Sequence, residues 1–276
     1  MGGQHSHNSG INQYRKHIIH DPPDLRVLVD HVKHHMANIM EIFLLTIGAS
    51  FVQRTTGFGF GIFIMTLLPF LMPSYGEATT LSGLLAMTTS TLICIRMRKY
   101  ITWKRLIPIL LTFIIVSTPT IFLSTRIDNQ NLNRILGITL ILTALYFAFF
   151  SGKIKLKTTV PYQIGAGTVS GVMGGFFGMQ GPPAVLYFIS SEPDKNHYIA
   201  MAQIYFLLGN VVMTIVRAAN GFLTATVGRN YLFCLAAVLV GTLLGSWVFK
   251  HIPGKIFPYA VYSYIGISGA IIFLTA

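Results

Sequence analysis

The chain has 276 residues, of which 53% are hydrophobic and only 10% charged, against roughly 25% charged in an ordinary soluble domain. That composition excludes a water-soluble globular fold and predicts an all-α polytopic membrane protein. The net charge of +12 comes mostly from Lys and Arg at the ends of apolar runs, as the positive-inside rule expects; the lipid bilayer is therefore an expected partner and nucleic acid is not.

Residues 1–36 form a polar, His-rich N-terminal segment with no apolar core of the signal-peptide kind, so the first membrane helix is expected to act as the signal. His31, His34 and His35 have i, i+3 and i+4 spacing, which places them on one helix face. No carboxylate or cysteine completes the set, so no metal site and no cofactor are predicted. The cysteines Cys94 and Cys234 both sit in apolar segments and read as buried free thiols.

From residue 37 to 73 the apolar stretch far exceeds the about 20 residues that one span needs. A helix over 39–53, a break at Gly57-Phe58-Gly59-Phe60-Gly61, and a second piece over 60–72 account for it. Glycine costs about 1 kcal/mol in a helix interior relative to alanine, and three within five residues mark a helix end. Spans are then expected over 78–95, 106–123 and 135–150, separated by the basic run Arg96 to Arg105 and by residues 126–134.

After Lys153-Ile154-Lys155-Leu156-Lys157 the order repeats. Residues 160–189 carry a break at Gly178-Met179-Gln180-Gly181-Pro182-Pro183, followed by spans over 198–216, 231–249 and 256–276. The predicted architecture is two repeated halves, 37–152 and 153–276, each a broken or re-entrant helix plus three spans, with about eight transmembrane segments in total. Paired interrupted segments at corresponding positions of two halves point to a secondary transporter's binding site. An even number of crossings per half leaves the repeats parallel and both termini inside; a re-entrant broken element inverts the halves and puts the termini outside. Counting Lys and Arg favours the first arrangement.

Where a helix restarts in lipid, its first N–H groups are unpaired and its dipole is positive, which suits an anion. Gly57, Gly59, Gly61, Gly178, Gly181 and Pro182 would shape such a site, and Gln53, Arg54, Thr56, Gln180 and Asn210 would supply donors. Arg54 stands between two apolar runs, either as a partner for an anionic substrate or as a side chain snorkelling to the interface. Arg217, at the end of its segment beside Asn220-Gly221, reads as snorkelling. The eight acidic residues all fall in tails, loops or helix ends, which disfavours a carboxylate proton relay and leaves the membrane potential as the driving force for anion export. No nucleophile elbow, acid-base cluster or phosphate loop is present, so no enzyme is predicted. The alternatives are an anion channel, or an assembly protein whose glycines serve helix packing; a homo-oligomer is compatible with either.

The motifs Gln53-x-x-Thr56-Gly57-Phe58-Gly59-Phe60, Pro69, Arg96 to Lys99 with Trp103-Lys104-Arg105, then Ser170-Gly171, Gly174-Gly175, Gly178-x-x-Gly181-Pro182-Pro183, Leu186-Tyr187, Tyr205-Phe206 and Asn210 resemble the sulfite exporter TauE/SafE family of membrane transporters. The resemblance runs from about residue 37 to the C-terminus. It implies inverted repeats, termini outside, and transport of small sulfur-containing anions such as sulfite and organosulfonates across the cell membrane. This chain departs from the pattern at Phe60-Gly61 and Gln180-Gly181-Pro182, where many members carry a triple glycine, and at Arg54, where a small residue is common. These departures narrow the expected site and change its charge, so a carboxylate or another oxyanion also fits.

Overall fold

The computed structural model describes residues 25–150, 157–192, 194–251, 266–267 and 269–274, with side chains from residue 38 onward apart from 147, 150, 195 and 249–251. The side chains of His31, His34, His35, Lys153 and Lys155 lie outside the described residues. The chain packs as two units, Met1–Met40 and Glu41–Ala276. Of the first, only the beginning of a helix is described; the second holds the helical bundle.

All regular structure among the described residues is helical: α1 (Leu25–Thr56), α2 (Phe60–Ile64), α3 (Leu68–Leu71), α4 (Tyr75–Met97), α5 (Trp103–Ser124), α6 (Asn129–Phe150), α7 (Val160–Phe177), α8 (Gly181–Ser191), α9 (Lys195–Ala219) and α10 (Ala225–His251). Among the described residues four stretches, Tyr75–Tyr100, Trp103–Ser124, Asn196–Ala219 and Ala225–Val248, are long and apolar enough to cross a membrane. The helices outrun the apolar runs because polar residues at their ends satisfy first-turn N–H groups. Ser74 Oγ accepts from the Glu77 N–H at 3.2 Å, and Asp128 Oδ1 accepts from the Asn131 N–H at 2.7 Å. Asp194 Oδ1 accepts from the Asn196 and His197 N–H groups at 2.8 and 3.1 Å. The His197 backbone bond, helped by the His197 ring, holds the Asp194 carboxyl below its ordinary range.

Side-chain pairings fix the direction of each helix. Helices α4 and α9 run antiparallel: Gly76 faces Phe222, Gly83 faces Asn210 and Thr214, and at the far end the Tyr100 and His197 rings meet at 5.1 Å. Helix α7 runs alongside α5 in the same direction, with Gly167 against Ile109 and Thr112, Gly171 against Phe113 and Val116, and Gly175 against Ser117 and Thr120. Helix α10 lies on α1 in the same way, Gly241 against Ile47 and Ser50, Gly245 against Phe51 and Arg54.

Each broken element doubles back on itself. Helix α8 returns along α7, with rungs from Ser170 Oγ to the Gln180 carbonyl at 2.8 Å and from Gln163 Nε2 to the Tyr187 hydroxyl at 2.8 Å. The chain after Gly57 returns along α1, with Gly59 against Val52 and Phe63 against Gly48. The α7–α8 pair ends where α5 begins: Arg105 Nη1 donates to the Ser191 carbonyl at 2.9 Å and lies 3.4 Å from Glu192 Oε2. The α1–α3 pair ends at the opposite end of α4, with Asn230 Nδ2 near Met72 Sδ.

Close helix contact through small residues is the main packing device, since lipid gives no hydrophobic drive between helices. A Cβ on Gly175 would lie 2.5 Å from Thr120 Cβ and 2.9 Å from the Ser117 carbonyl oxygen, whereas one on Gly165 has nothing within 4 Å. Gly175→Ala should therefore cost about 1–3 kcal/mol and lower the melting temperature of the detergent-solubilised protein by several degrees. Gly165→Ala should leave it unchanged or slightly raised.

Candidate functional site

The first break is built on two left-handed glycines, Gly57 at φ 87° and Gly59 at φ 96°, a region that side chains with a Cβ rarely adopt. Helix α1 therefore stops at Thr56. Carbonyls released there are claimed from α9: Gln203 Nε2 donates to the Gly57 carbonyl at 2.7 Å and the Tyr198 hydroxyl to the Thr56 carbonyl at 3.3 Å. Gln53 Nε2 donates to Ser90 Oγ at 2.9 Å and to Gln203 Oε1 at 2.8 Å, so a buried chain of amides joins α4, α1, α9 and the break. The first helical bond after Gly59 is from the Phe63 N–H to the Gly59 carbonyl; the N–H groups of Phe60, Gly61 and Ile62 precede it.

At the second break Gly178, φ 68°, caps α7 with its N–H on the Gly174 carbonyl at 3.0 Å. This is the left-handed cap that glycine favours. Gln180 stands before α8, and its Nε2 donates to the Phe206 carbonyl at 3.2 Å. Pro182 and Pro183 have no N–H, so they occupy the first turn without orphan donors of their own.

The two breaks touch: a Cβ on Gly61 would lie 2.6 Å from the Gly178 carbonyl oxygen. Between them is a cavity of about 30 Å3 lined by Gln53, Gly59, Gly61, Gly178, Gln180, Gly181 and Asn210, together with Phe60, Ile62, Ala86, Met179 and Phe206. Ala86 is near the midpoint of α4 and Asn210 near that of α9, so the cavity lies about halfway along the crossing helices. Asn210 is 3% exposed, and its Oδ1 and Gln180 Oε1 are buried without protein hydrogen-bond partners. A polar group in that state costs about 1–3 kcal/mol unless a ligand or water meets it. A half-turn of the Asn210 amide would present its NH2 group instead.

Four of the expected site residues lie elsewhere. Thr56 and Gly57 sit behind the cavity, with Thr56 Oγ1 2.7 Å from the Phe58 carbonyl and Gly57 against Tyr198. Pro182 faces a separate pocket with Thr139, Tyr146 and Met173. Arg54 points to α10, its Nε donating to Ser246 Oγ at 2.8 Å. One residue is about 100° of helix rotation, which is why Gln53 reaches the cavity and Arg54 does not.

Arg217 corrects a sequence expectation. It does not snorkel: it is 2% exposed, and its Nη2 donates to the Gly174 and Gly175 carbonyls at 2.9 and 3.1 Å. These are carbonyls of the last turn of α7, where a cation also meets the negative end of the helix dipole. Its Nη1 has no hydrogen-bond partner and it forms no salt bridge among the described residues. Gln203 and Ser90 are the polar residues that sequence reasoning passed over. Gln203 could have been found as an amide set between Ala202 and Ile204 within an apolar run.

Arg217→Met removes two charge-assisted bonds and should destabilise the protein by about 2–5 kcal/mol, read as a lower melting temperature and loss of monodispersity in detergent. Arg217→Lys should recover part of the loss, because an ammonium keeps the charge but not the planar fork.

No curated protein and no solved structure matches the chain. The family described as Sulfite exporter TauE/SafE matches residues 42–272, nearly the whole of the membrane-embedded part and both breaks. The family is one of membrane transporters, and its match, with helices long and apolar enough to cross the bilayer, makes this an integral membrane protein. The chain belongs to the TauE/SafE sulfite exporter family.

Proposed function

We propose that the chain is a secondary transporter that exports a small anion, sulfite, an organosulfonate or a related oxyanion or carboxylate, across the cell membrane by alternating access around the two glycine breaks. The observation that carries this reading is the contact of Gly61 with the Gly178 carbonyl, which brings both breaks to the wall of one mid-height cavity. Gln53, Gly59, Gly61, Gly178, Gln180, Gly181 and Asn210 enclose the anion; Thr56, Gly57 and Pro182 hold the shape of the breaks behind them. The amides of Phe60, Gly61 and Ile62 are the natural donors. Helix α2 has only five residues, so these N–H groups matter more than its dipole.

The reading includes two inverted halves, 37–152 and 153–276, each with a re-entrant hairpin and three crossing helices. Three features support it: the hairpins end at opposite ends of α4, α4 and α9 run antiparallel, and α6 meets residues 269–274 antiparallel, with Gly137 at Phe273 and Leu140 at Gly269. The end holding Arg96 to Arg105 is the cytoplasmic one by its basic charge. Opposed re-entrant tips give an anion a gate from each side, which is what alternating access requires.

Charge supports an anion over a cation. Arg217 places a buried positive charge on the last turn of α7, next to the second break, and no carboxylate lines the cavity. Export is then driven by the negative-inside potential, about 2.3 kcal/mol per charge per 100 mV.

In proteoliposomes, efflux of sulfite or a short sulfonate should follow an imposed potential. Efflux that ignored the potential and tracked a pH gradient would sink the driving-force argument. Gly61→Ala should reduce efflux at least tenfold by filling the contact with Gly178, at a melting temperature several degrees lower but with the protein still inserted and purified as a single species. Undiminished efflux in that variant would remove the cavity from the transport path.

A further inference from the structure

A second pocket, of about 280 Å3, opens between α1, α4 and α10 on the outer face of the bundle. Its walls are mainly apolar, with Leu92, Leu239 and Leu243 among them. Ile95 and Leu243 are about two-thirds exposed, at 65% and 64%, so in a membrane this groove meets lipid. Its polar edge carries two arginines, Arg54 and Arg96, and no acidic residue lines it. Arg54 is fixed by its bond to Ser246, and Arg96 is exposed in the last turn of α4. Thr242, 9% exposed, lines the same pocket.

The depth of the arginines is set by their neighbours. Arg96 opens the basic run that joins α4 to α5, and both tryptophans of the chain, Trp103 and Trp247, are exposed near this end, at the start of α5 and towards the end of α10. Tryptophan marks the headgroup level of a bilayer. Two cations at that level above an apolar slot match a ligand with an anionic head and a hydrocarbon tail. A free inorganic anion would leave the slot unused.

We propose that this groove is a binding site for one anionic phospholipid, its phosphate held between Arg54 and Arg96 and one acyl chain lying along Leu92, Leu239 and Leu243. The lipid then ties α10 to the end of α1 that leads into the first break. The site is distinct from the transport cavity, and its failure would leave the transport reading untouched.

Native mass spectrometry of the full-length protein, titrated in detergent with dioleoylphosphatidylglycerol or dioleoylphosphatidylcholine, tests it. One phosphatidylglycerol should be retained in preference to phosphatidylcholine. Its apparent affinity should fall about fivefold in Arg96→Gln, and further in the Arg54→Gln/Arg96→Gln double variant. Arg96→Gln is the decisive single change because the exposed side chain supports no packing. Arg126→Gln, exposed at the opposite end of the bundle, should bind as wild type. Equal retention of the two lipids, an equal loss in Arg126→Gln, or displacement of the lipid by soluble glycerol phosphate would overturn the proposal, the last by showing a site for a free anion.

Discussion

A backbone that breaks inside lipid must find partners for the groups it releases, and this requirement organises the molecule. Hydrocarbon offers no hydrogen bonds, so a helix interrupted at membrane depth survives only where protein or a watery cavity replaces the lost bonds. Here α9 supplies most of them: Tyr198 and Gln203 on the first break, Arg217 on the last turn before the second, and the Phe206 carbonyl to Gln180. One helix thus holds both interruptions. Its antiparallel partner α4 adds Ser90, through Gln53.

The same requirement separates donors that build the fold from those that remain for a ligand. The amides of Gln53 and Gln203 are spent on each other, on Ser90 and on the Gly57 carbonyl. The Gln180 NH2 is spent on Phe206. Left over on the cavity are the short run of backbone at Phe60 to Ile62 and the unpartnered oxygens of Asn210 and Gln180. In the proposed reading an anion in so small a cavity would meet neutral donors, with the buried charge of Arg217 nearby in place of a direct ion pair. Arg54, which looked suited to such a pair, is held on the far side of α1.

The two breaks and their order were legible in the sequence because glycine and proline act locally: Gly57, Gly59 and Gly178 adopt the left-handed backbone that their lack of Cβ permits. Long apolar runs likewise placed α4, α5 and α9 to within a few residues, whereas α1 begins at Leu25, well before its apolar run, and the piece expected over 60–72 is two short helices, α2 and α3. What the sequence hid was rotational. Neighbouring residues on a helix point in different directions, so Gln53 and Arg54 could not be told apart, and Pro182 could not be separated from Gly181. Arg217 was hidden for a different reason: its partners, Gly174 and Gly175, lie far away in the chain, and a charged residue near a helix end resembles an interface anchor until the neighbouring helix is known.

Access to the mid-height cavity tests the account most directly. With Cys94 and Cys234 replaced by serine, Ala86→Cys puts a single thiol on the cavity wall halfway along α4. A membrane-impermeant maleimide applied to either face of sealed membranes should label it, and a saturating small sulfonate should protect it from both. A thiol that reacts from neither face, or one that reacts at the same rate with and without the anion, would contradict a transport site between the two glycine breaks.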